Sequence, residues 1–570
     1  MMHAFVCLVR KTGVAVSVAL AISALSGCND DDKDVASTPT SPAAPTATFQ
    51  YVEGTITDLQ KDLASGALTC HQVVQGYLDR IQAYDFEAGG PELKSIVTVS
   101  SNALADADAL DAKFKSTGKM SGPLHCVPVL PKDNIDTVDM PTTAGALALQ
   151  SSRPDDDAYI IQKIRNAGGI IIGKANMDEF AFGFVGSASI RGQVKNAYDQ
   201  SKGPGGSSSG TGAAISASLA MVGIGTDTGG SVRVPSAVEG LVGIRPSLRL
   251  VSQDGIIPLA PTQDTAGPMC RTVQDCALLL DAMVGFDSSS HSNQRISFER
   301  KAALIRSATE YNRLTRTPAS YTSYLEKDGL KGARIGVVRA LFGTNANVIA
   351  AMEAAIQQMK DAGATVEDVT IPDLSTVTSY SSVSSYEFKN SLTAYLSSWS
   401  NALDGHFLTF DEVKASGLYE SRNTSSFNSY GTNGTNPEAN ATYIKNTDER
   451  NPYARARITR ALDNVDAAGL PLGEPYDVLL YPGILGTAPN IGSSPSTGNN
   501  NRLSPFTGYP AMAIPAGMVE PVVGQPKLPV GMEMLAREFD EPTLIRIGYA
   551  WQEYAKPRQA PTFTPELAKK

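Results

Sequence analysis

Between Gly205 and Ser236 the chain reads G-G-S-S-S-G-T-G-A-A-I-S-A-S-L-A-M-V-G-I-G-T-D-T-G-G-S-V-R-V-P-S. Ser207 follows Gly205-Gly206, and Ser231 follows Gly229-Gly230, 24 residues further on. Glycine lets the backbone turn tightly and bring its N–H groups against a ligand. A serine placed there becomes a nucleophile for acyl transfer once a base takes its proton. A possible base stands upstream: Lys132, in Pro131-Lys-Asp-Asn, just beyond the apolar run Val127 to Leu130. Alone, such a lysine reads as a solvated strand cap. In an apolar setting it gives up its proton readily and can act as a base.

Three serine mechanisms compete for these residues. Gly206 to Gly210 fits the G-x-S-x-G turn of an α/β-hydrolase, which would make Ser208 the nucleophile and require an acid and then a histidine downstream. Only His291 and His406 follow, both in polar, loop-like surroundings. A β-lactamase-type arrangement needs a lysine three residues after the serine; Gly210 and Val234 stand there instead. The third is a Ser-Ser-Lys relay.

For that relay the sequence resembles the amidase signature family. Lys132 in Pro-Lys-Asp-Asn, the two glycine-framed serines and their spacing carry the resemblance. Asn176-Met-Asp-Glu-Phe, Gly243-Ile-Arg-Pro-Ser, Gly267-Pro-Met with Arg271-Thr-Val, and Leu528-Pro-Val-Gly add to it. It extends from about Thr55 to about Tyr554 and is weakest across 374–510. The resemblance implies Ser231 as nucleophile, Ser207 as a bridging serine held by a cis peptide, and Lys132 as base. It also implies an oxyanion hole from the backbone N–H groups of Thr228, Gly229, Gly230 and Ser231, with Asp227 and Arg233 as supports. The implied activity is hydrolysis of a carboxamide to a carboxylate and ammonia or amine through an acyl-enzyme; the 374–510 insertion and the N-terminal segment point to peptide amides or another extracellular amide, and no cofactor or metal is expected. The rivals are a catalytically idle periplasmic binding lipoprotein and a glutaminase-type amidotransferase subunit.

The elements that must position these groups follow a βα rhythm. Helical periodicity covers Thr55 to Tyr84 as two helices parted at Gly66, with Thr69 capping the second. Ala103–Phe114, Ala158–Ala167, Thr272–Met283, Asn347–Ala362 and Glu541–Tyr554 read as further helices. Strands are expected at Val127–Leu130, Ile170–Ile172, Arg334–Val338, Thr365–Val369, from Asp477, from Ala511 and from Leu528. The expected fold class is α/β: a single amidase-signature-like domain over 51–560, with a mixed, mostly parallel β-sheet flanked by helices. Residues 374–510 read as a helical and looped insertion that covers the site.

Composition narrows the partners. The 570 residues carry a net charge of -10, and no long Lys/Arg run interrupts this. Nucleic acid and anionic membrane surfaces are therefore poor partners; a small-molecule or peptide amide is the expected one, and no obligate protein partner is evident. Arg10 and Lys11 precede a short apolar run ending in Leu25-Ser-Gly-Cys28, a signal segment of the bacterial lipoprotein type over 1–28. Lipidated Cys28 would tether an exported, periplasmic or membrane-anchored protein through the disordered, Pro/Ser/Thr-rich segment 29–50. Four cysteines remain, of which Cys270 and Cys276 form a plausible local pair, while Cys126 reads as a buried thiol. The five histidines are scattered and suggest no metal.

Overall fold

The computed structural model describes residues 46–289, 305, 307–398 and 406–568. The signal segment, Cys7, Cys28 and most of the tether lie outside these residues, as does His291.

Twelve strands are present among the described residues. In chain order they are β1 (Ile96–Val99), β2 (Pro128–Pro131), β3 (Ile170–Ile171), β4 (Gly173–Ala175), β5 (Val222–Asp227), β6 (Val242–Arg245), β7 (Thr265–Cys270), β8 (Arg334–Val337), β9 (Thr365–Asp368), β10 (Val478–Pro482), β11 (Ala511–Val519) and β12 (Leu528–Leu535). Ten build one sheet in the order β3-β2-β5-β7-β6-β11-β12-β10-β8-β9, and β1 pairs with β4 beside it. The sheet is mixed, as expected. Its two edges, β3-β2-β5 and β10-β8-β9, pair in parallel, and the stretch from β5 through β12 to β10 is antiparallel. Strands β2, β5, β6, β7, β10 and β12 are buried along their whole length, which accounts for their continuous apolar runs without alternation.

Helices cover both faces, and most fall where periodicity places them. Thr69 closes a full capping box at the start of Cys70–Ile81. The helix Val273–Met283 is capped by Thr272, and Ala346–Asp361 by Asn345. The domain is wider than 51–560. Phe49 N–H donates to Asp62 at 2.7 Å, so the chain is docked before Tyr51. Buried Arg80 holds the carbonyls of Thr564 and Pro565 beyond the expected end.

The insertion is more helical and better packed than its Ser/Asn-rich composition suggests. Ser384–Ser397, Phe410–Ser416 and Thr424–Asn433 are helices. Phe388, Phe410 and Phe427, spaced far apart in sequence, are fully buried together. Phe427 meets Phe180 edge to face at 5.5 Å, and Phe388 meets Phe182 at 4.9 Å. Such pairs add about 0.5–1.5 kcal/mol each beyond simple burial. Within 374–510, strand β10 belongs to the central sheet, so the covering layer is the helical part.

Both cysteine pairs close. Cys270, at the end of β7, pairs with Cys276 one helical turn into Val273–Met283, with Cα atoms 5.5 Å apart. Cys126 is not an isolated thiol: it pairs with Cys70 across 56 residues of sequence, Cα to Cα 5.1 Å. That separation concealed the partner; only the docking of helix Cys70–Ile81 beside the 122–127 turn brings the two together.

Candidate active site

Lys132 follows β2 directly and is wholly buried. Its backbone N–H extends the sheet by donating to Ile224 of β5 at 2.9 Å. The side chain runs beneath the serine loop, with Nζ 2.7 Å from Ser207 Oγ and 2.9 Å from Thr226 Oγ1. Burial disfavours its charged form and brings the amine down to about 7, against the upward pull of Asp178, Asp227 and Asp264. Asn134 Nδ2 donates to Thr226 Oγ1 as well, at 3.1 Å. The Thr226 oxygen thus takes an N–H from each side. In the neutral amine one N–H goes to Thr226, and the lone pair is free to face Ser207, the orientation a base requires.

Ser207 is wholly buried and enters through a cis peptide after Gly206. Its carbonyl accepts from Asp178 N–H at 2.9 Å. Glycine is obligatory next door in the helix Ser209–Ser216: a Cβ on Gly210 would lie 2.2 Å from the Ser95 carbonyl and 2.4 Å from that of Asn176. Ser208, the alternative nucleophile, is turned the other way. It is buried, and its hydroxyl donates to the Thr226 carbonyl and accepts from Thr226 N–H, both at 3.3 Å. No histidine approaches it among the described residues, and His406 instead meets Ser152 at 3.1 Å.

Strand β5 delivers Thr226 and Asp227, and the chain then turns through Thr228-Gly229-Gly230 to Ser231 before the helix Arg233–Val238. Gly230 has φ +130°, a backbone region open to glycine. A Cβ on Gly229 would meet nothing within 4 Å, so there is room beside this turn. Asp227 shapes it from behind. Its carboxylate takes Gly230 N–H at 2.7 Å and Val232 N–H at 3.2 Å. One of the four N–H groups named for an oxyanion hole, that of Gly230, is therefore committed to Asp227. Thr228, Gly229 and Ser231 are not drawn into that carboxylate. Ser208 N–H donates to the Ser231 carbonyl at 3.2 Å and locks the two serine segments together.

Asp227 is itself held by Arg233, through Nε at 3.0 Å and Nη2 at 3.2 Å, with Arg245 at 3.6 Å. Burial pushes the Asp227 carboxyl up, but the two guanidiniums and the backbone donors reverse this and hold it below the usual range. Arg233 Nη1 also binds Glu533 of β12 at 2.6 Å, and Tyr481 of β10 donates to the same oxygen at 2.8 Å. The Thr228–Ser231 turn is thus fastened to the middle of the sheet. Arg233→Ala would leave buried Glu533 without its cation and Asp227 with only Arg245 and its backbone donors, a loss of about 3–5 kcal/mol. Denaturant titration should show a clearly lower midpoint; an unchanged one would refute this role.

The insertion reaches the site through the Asn176-Met-Asp-Glu-Phe segment. Arg422 Nη2 pairs with Asp178, the residue whose N–H holds the Ser207 carbonyl, and donates to the Ser187 carbonyl at 2.8 Å. Glu179 accepts from Asn423 Nδ2 at 2.7 Å and from Glu420 N–H at 2.8 Å. Arg422 and Asn501, which donates to the Gly229 carbonyl, were missed in the sequence because both lie where the resemblance is weakest.

Cys70, His125 and Cys126 are the one grouping of metal-ligand types among the described residues. His125 Nδ1 accepts from Ser121 N–H at 3.2 Å. Its neutral ring then carries the proton on Nε2, 3.8 Å from Cys70 sulfur, and offers no lone pair there for a metal.

An amidase family profile matches residues 72–545. The chain belongs to the amidase family, the amidase signature enzymes, and is an enzyme of the amidase type. It is 32% identical to a glutamyl-tRNA(Gln) amidotransferase subunit from Symbiobacterium thermophilum over 521 residues, 89% of this chain and 98% of that one. The corresponding chloroplastic/mitochondrial protein of Arabidopsis thaliana is 31% identical over 94% of this chain and 95% of its own. The peptide amidase of Stenotrophomonas maltophilia superposes with a TM-score of 0.75 at 32% identity, covering 90% of this chain and 99% of that chain.

Proposed function

We propose that the protein is an exported amidase that hydrolyses a carboxamide through an acyl-enzyme on Ser231, with C-terminally amidated peptides as the favoured substrate class. The observation that carries this is the buried 2.7 Å contact of Lys132 Nζ with Ser207 Oγ beneath the Thr228–Ser231 turn. In this reading neutral Lys132 takes the Ser207 proton while Ser207 takes that of Ser231. Ser231 Oγ attacks the substrate carbon, and the N–H groups of Thr228, Gly229 and Ser231 receive the developing oxyanion. Ser207 then passes a proton to the departing nitrogen and regains one from Lys132, the C–N bond breaks, and water, activated by the same pair, attacks the acyl carbon and releases the carboxylate and Ser231.

Likeness to a peptide amidase over nearly the whole chain supports the substrate class. Export through the Cys28 lipoprotein-type segment is part of the proposal, and two cysteine pairs fit an oxidising compartment. The similarity to amidotransferase subunits supports a second reading, in which the chain releases ammonia from glutamine for a partner.

The test is ammonia release by the purified mature protein from simple amides, amino-acid amides, C-terminally amidated peptides and glutamine. Release confined to amidated peptides would support the first reading. Release from glutamine, rising with a co-purifying protein, would favour the second. Binding of amides without acyl-enzyme formation would replace both with a binding protein.

A further inference from the structure

Gln263 stands two residues before β7 and is wholly buried. Its carboxamide is used at both ends. Nε2 donates to the Thr228 carbonyl at 3.1 Å and to Ser382 Oγ at 3.3 Å. Oε1 accepts from Val383 N–H at 3.0 Å and from Arg450 Nη1 at 2.8 Å. The orientation of the amide follows from chemistry: turned about, its oxygen would face a carbonyl and its nitrogen a guanidinium. One side chain thus ties the Thr228–Ser231 turn to the insertion.

The Thr228 carbonyl and the Gly229 N–H belong to one peptide plane. That peptide is trans, so its N–H points away from its carbonyl. The next plane is used on both sides, with the Gly229 carbonyl on Asn501 Nδ2 and the Gly230 N–H on Asp227. The Thr228–Gly229 plane is held at its oxygen alone. Among the described residues the Gly229 N–H meets no acceptor. Gly229 is also the one residue from Thr228 to Ser231 that is partly exposed, and a Cβ there would meet nothing within 4 Å. The unused donor therefore lies on the open side of the turn, two residues before Ser231.

We infer that Gln263 is a positioning residue: by holding the Thr228 carbonyl from behind, it aims the Gly229 N–H at the developing oxyanion. The inference rests on the amidase reading and names what that site depends on beyond its serines and lysine. The Thr228 hydroxyl is anchored separately, on Asp264, so losing Gln263 frees the peptide plane while the chain beside it stays in place. With glycine on one side of the bond, rotation of the plane meets little steric resistance. A bound amide carbonyl carries only a partial charge, whereas the tetrahedral oxyanion carries a full one. A misaimed donor therefore costs the transition state more than the bound substrate.

The experiment compares the wild-type mature protein with Gln263→Glu and Gln263→Leu. Glutamate keeps the acceptors for Val383 and Arg450 but sets an oxygen against the Thr228 carbonyl; leucine keeps the bulk with neither donor nor charge. The readouts are kcat and KM for the amide hydrolysed best, the urea midpoint, and inhibition by the trifluoromethyl ketone of the same acyl group. In that adduct the Ser231 O–C bond forms, the carbonyl electron pair becomes the oxyanion, and the Ser231 proton passes through Ser207 to Lys132. The expected result in both variants is a kcat lower by roughly 10- to 100-fold, a KM within about threefold of wild type, and inhibitor affinity reduced by the same factor as kcat/KM. A lower urea midpoint with kcat and inhibition unchanged would make Gln263 a structural brace and overturn the inference. So would a loss confined to KM, or one confined to Gln263→Glu, which would be the effect of its charge. If Gln263→Leu does not fold, Gln263→Glu decides by the same readouts. A wild-type protein that hydrolyses no amide would bring down the amidase reading itself, and the inference with it.

Discussion

Ser231→Ala is expected to lower amide hydrolysis by about 10⁴-fold or more, the scale seen when a serine nucleophile is removed from a preorganised site. Folding should be unaffected, because the lost hydroxyl is not part of the Asp227 and Arg233 network that shapes the turn. The assignment to Ser231 over Ser207 is a matter of position. Ser207 is wholly enclosed and already engaged by Lys132, while Ser231 retains 4% exposure at a turn with room beside Gly229. The measurement is single-turnover hydrolysis together with fluorophosphonate labelling, with Ser207→Ala in parallel. Retained activity in Ser231→Ala with complete loss in Ser207→Ala would reverse the roles.

Lys132→Met should be nearly as damaging, by the same unit logic of a nucleophile and its base, and it carries two pH signatures. The base works only when neutral, so wild-type kcat/KM should climb through about pH 7 and level off above it. A flat profile between about pH 6 and pH 9 would remove Lys132 from the base role. The second signature is stability. The folded amine titrates at about 7, below its ordinary value of 10.5, so between those values the unfolded chain binds a proton that the folded chain does not. Stability contributed by this group therefore rises with pH across that window, and the full penalty is present below it. Lys132→Met removes the penalty. The inactive variant should resist urea better than wild type at about pH 7, with the difference narrowing toward about pH 10.

How much of this was legible in the sequence depended on distance along the chain. Lys132, Ser207 and Ser231 stand in short runs with a local signature, seen at Gly230, whose φ of +130° is a backbone demand that glycine meets. Helices with a cap and a stripe, such as Cys70–Ile81, were legible for the same reason. What required the folded chain was any pairing with no local mark. Asp227 precedes Gly230 by three residues, yet nothing in T-D-T-G-G showed that its carboxylate would claim that N–H. Cys126 beside Val127 looked apolar and solitary until the 70–81 helix docked. The insertion hid its core for a third reason: Phe427 lies among Ser, Thr and Asn and is buried by Phe180, Phe410 and Tyr419 from other segments.

The joint between Arg422 and Asp178 sets a rule for anyone recombining these enzymes. The covering helices are where relatives would be shuffled to obtain a new preference, since they lie outside the sheet and the turns that carry the serines. Here, however, Arg422 of the insertion neutralises a carboxylate that is 0% exposed beneath it, in the same residue whose N–H holds the Ser207 carbonyl. A transplanted lid lacking that cation would leave Asp178 as a buried charge without its arginine beside Ser207. Lid and base must be exchanged as a matched set, with the arginine and the aspartate treated as a single heritable unit.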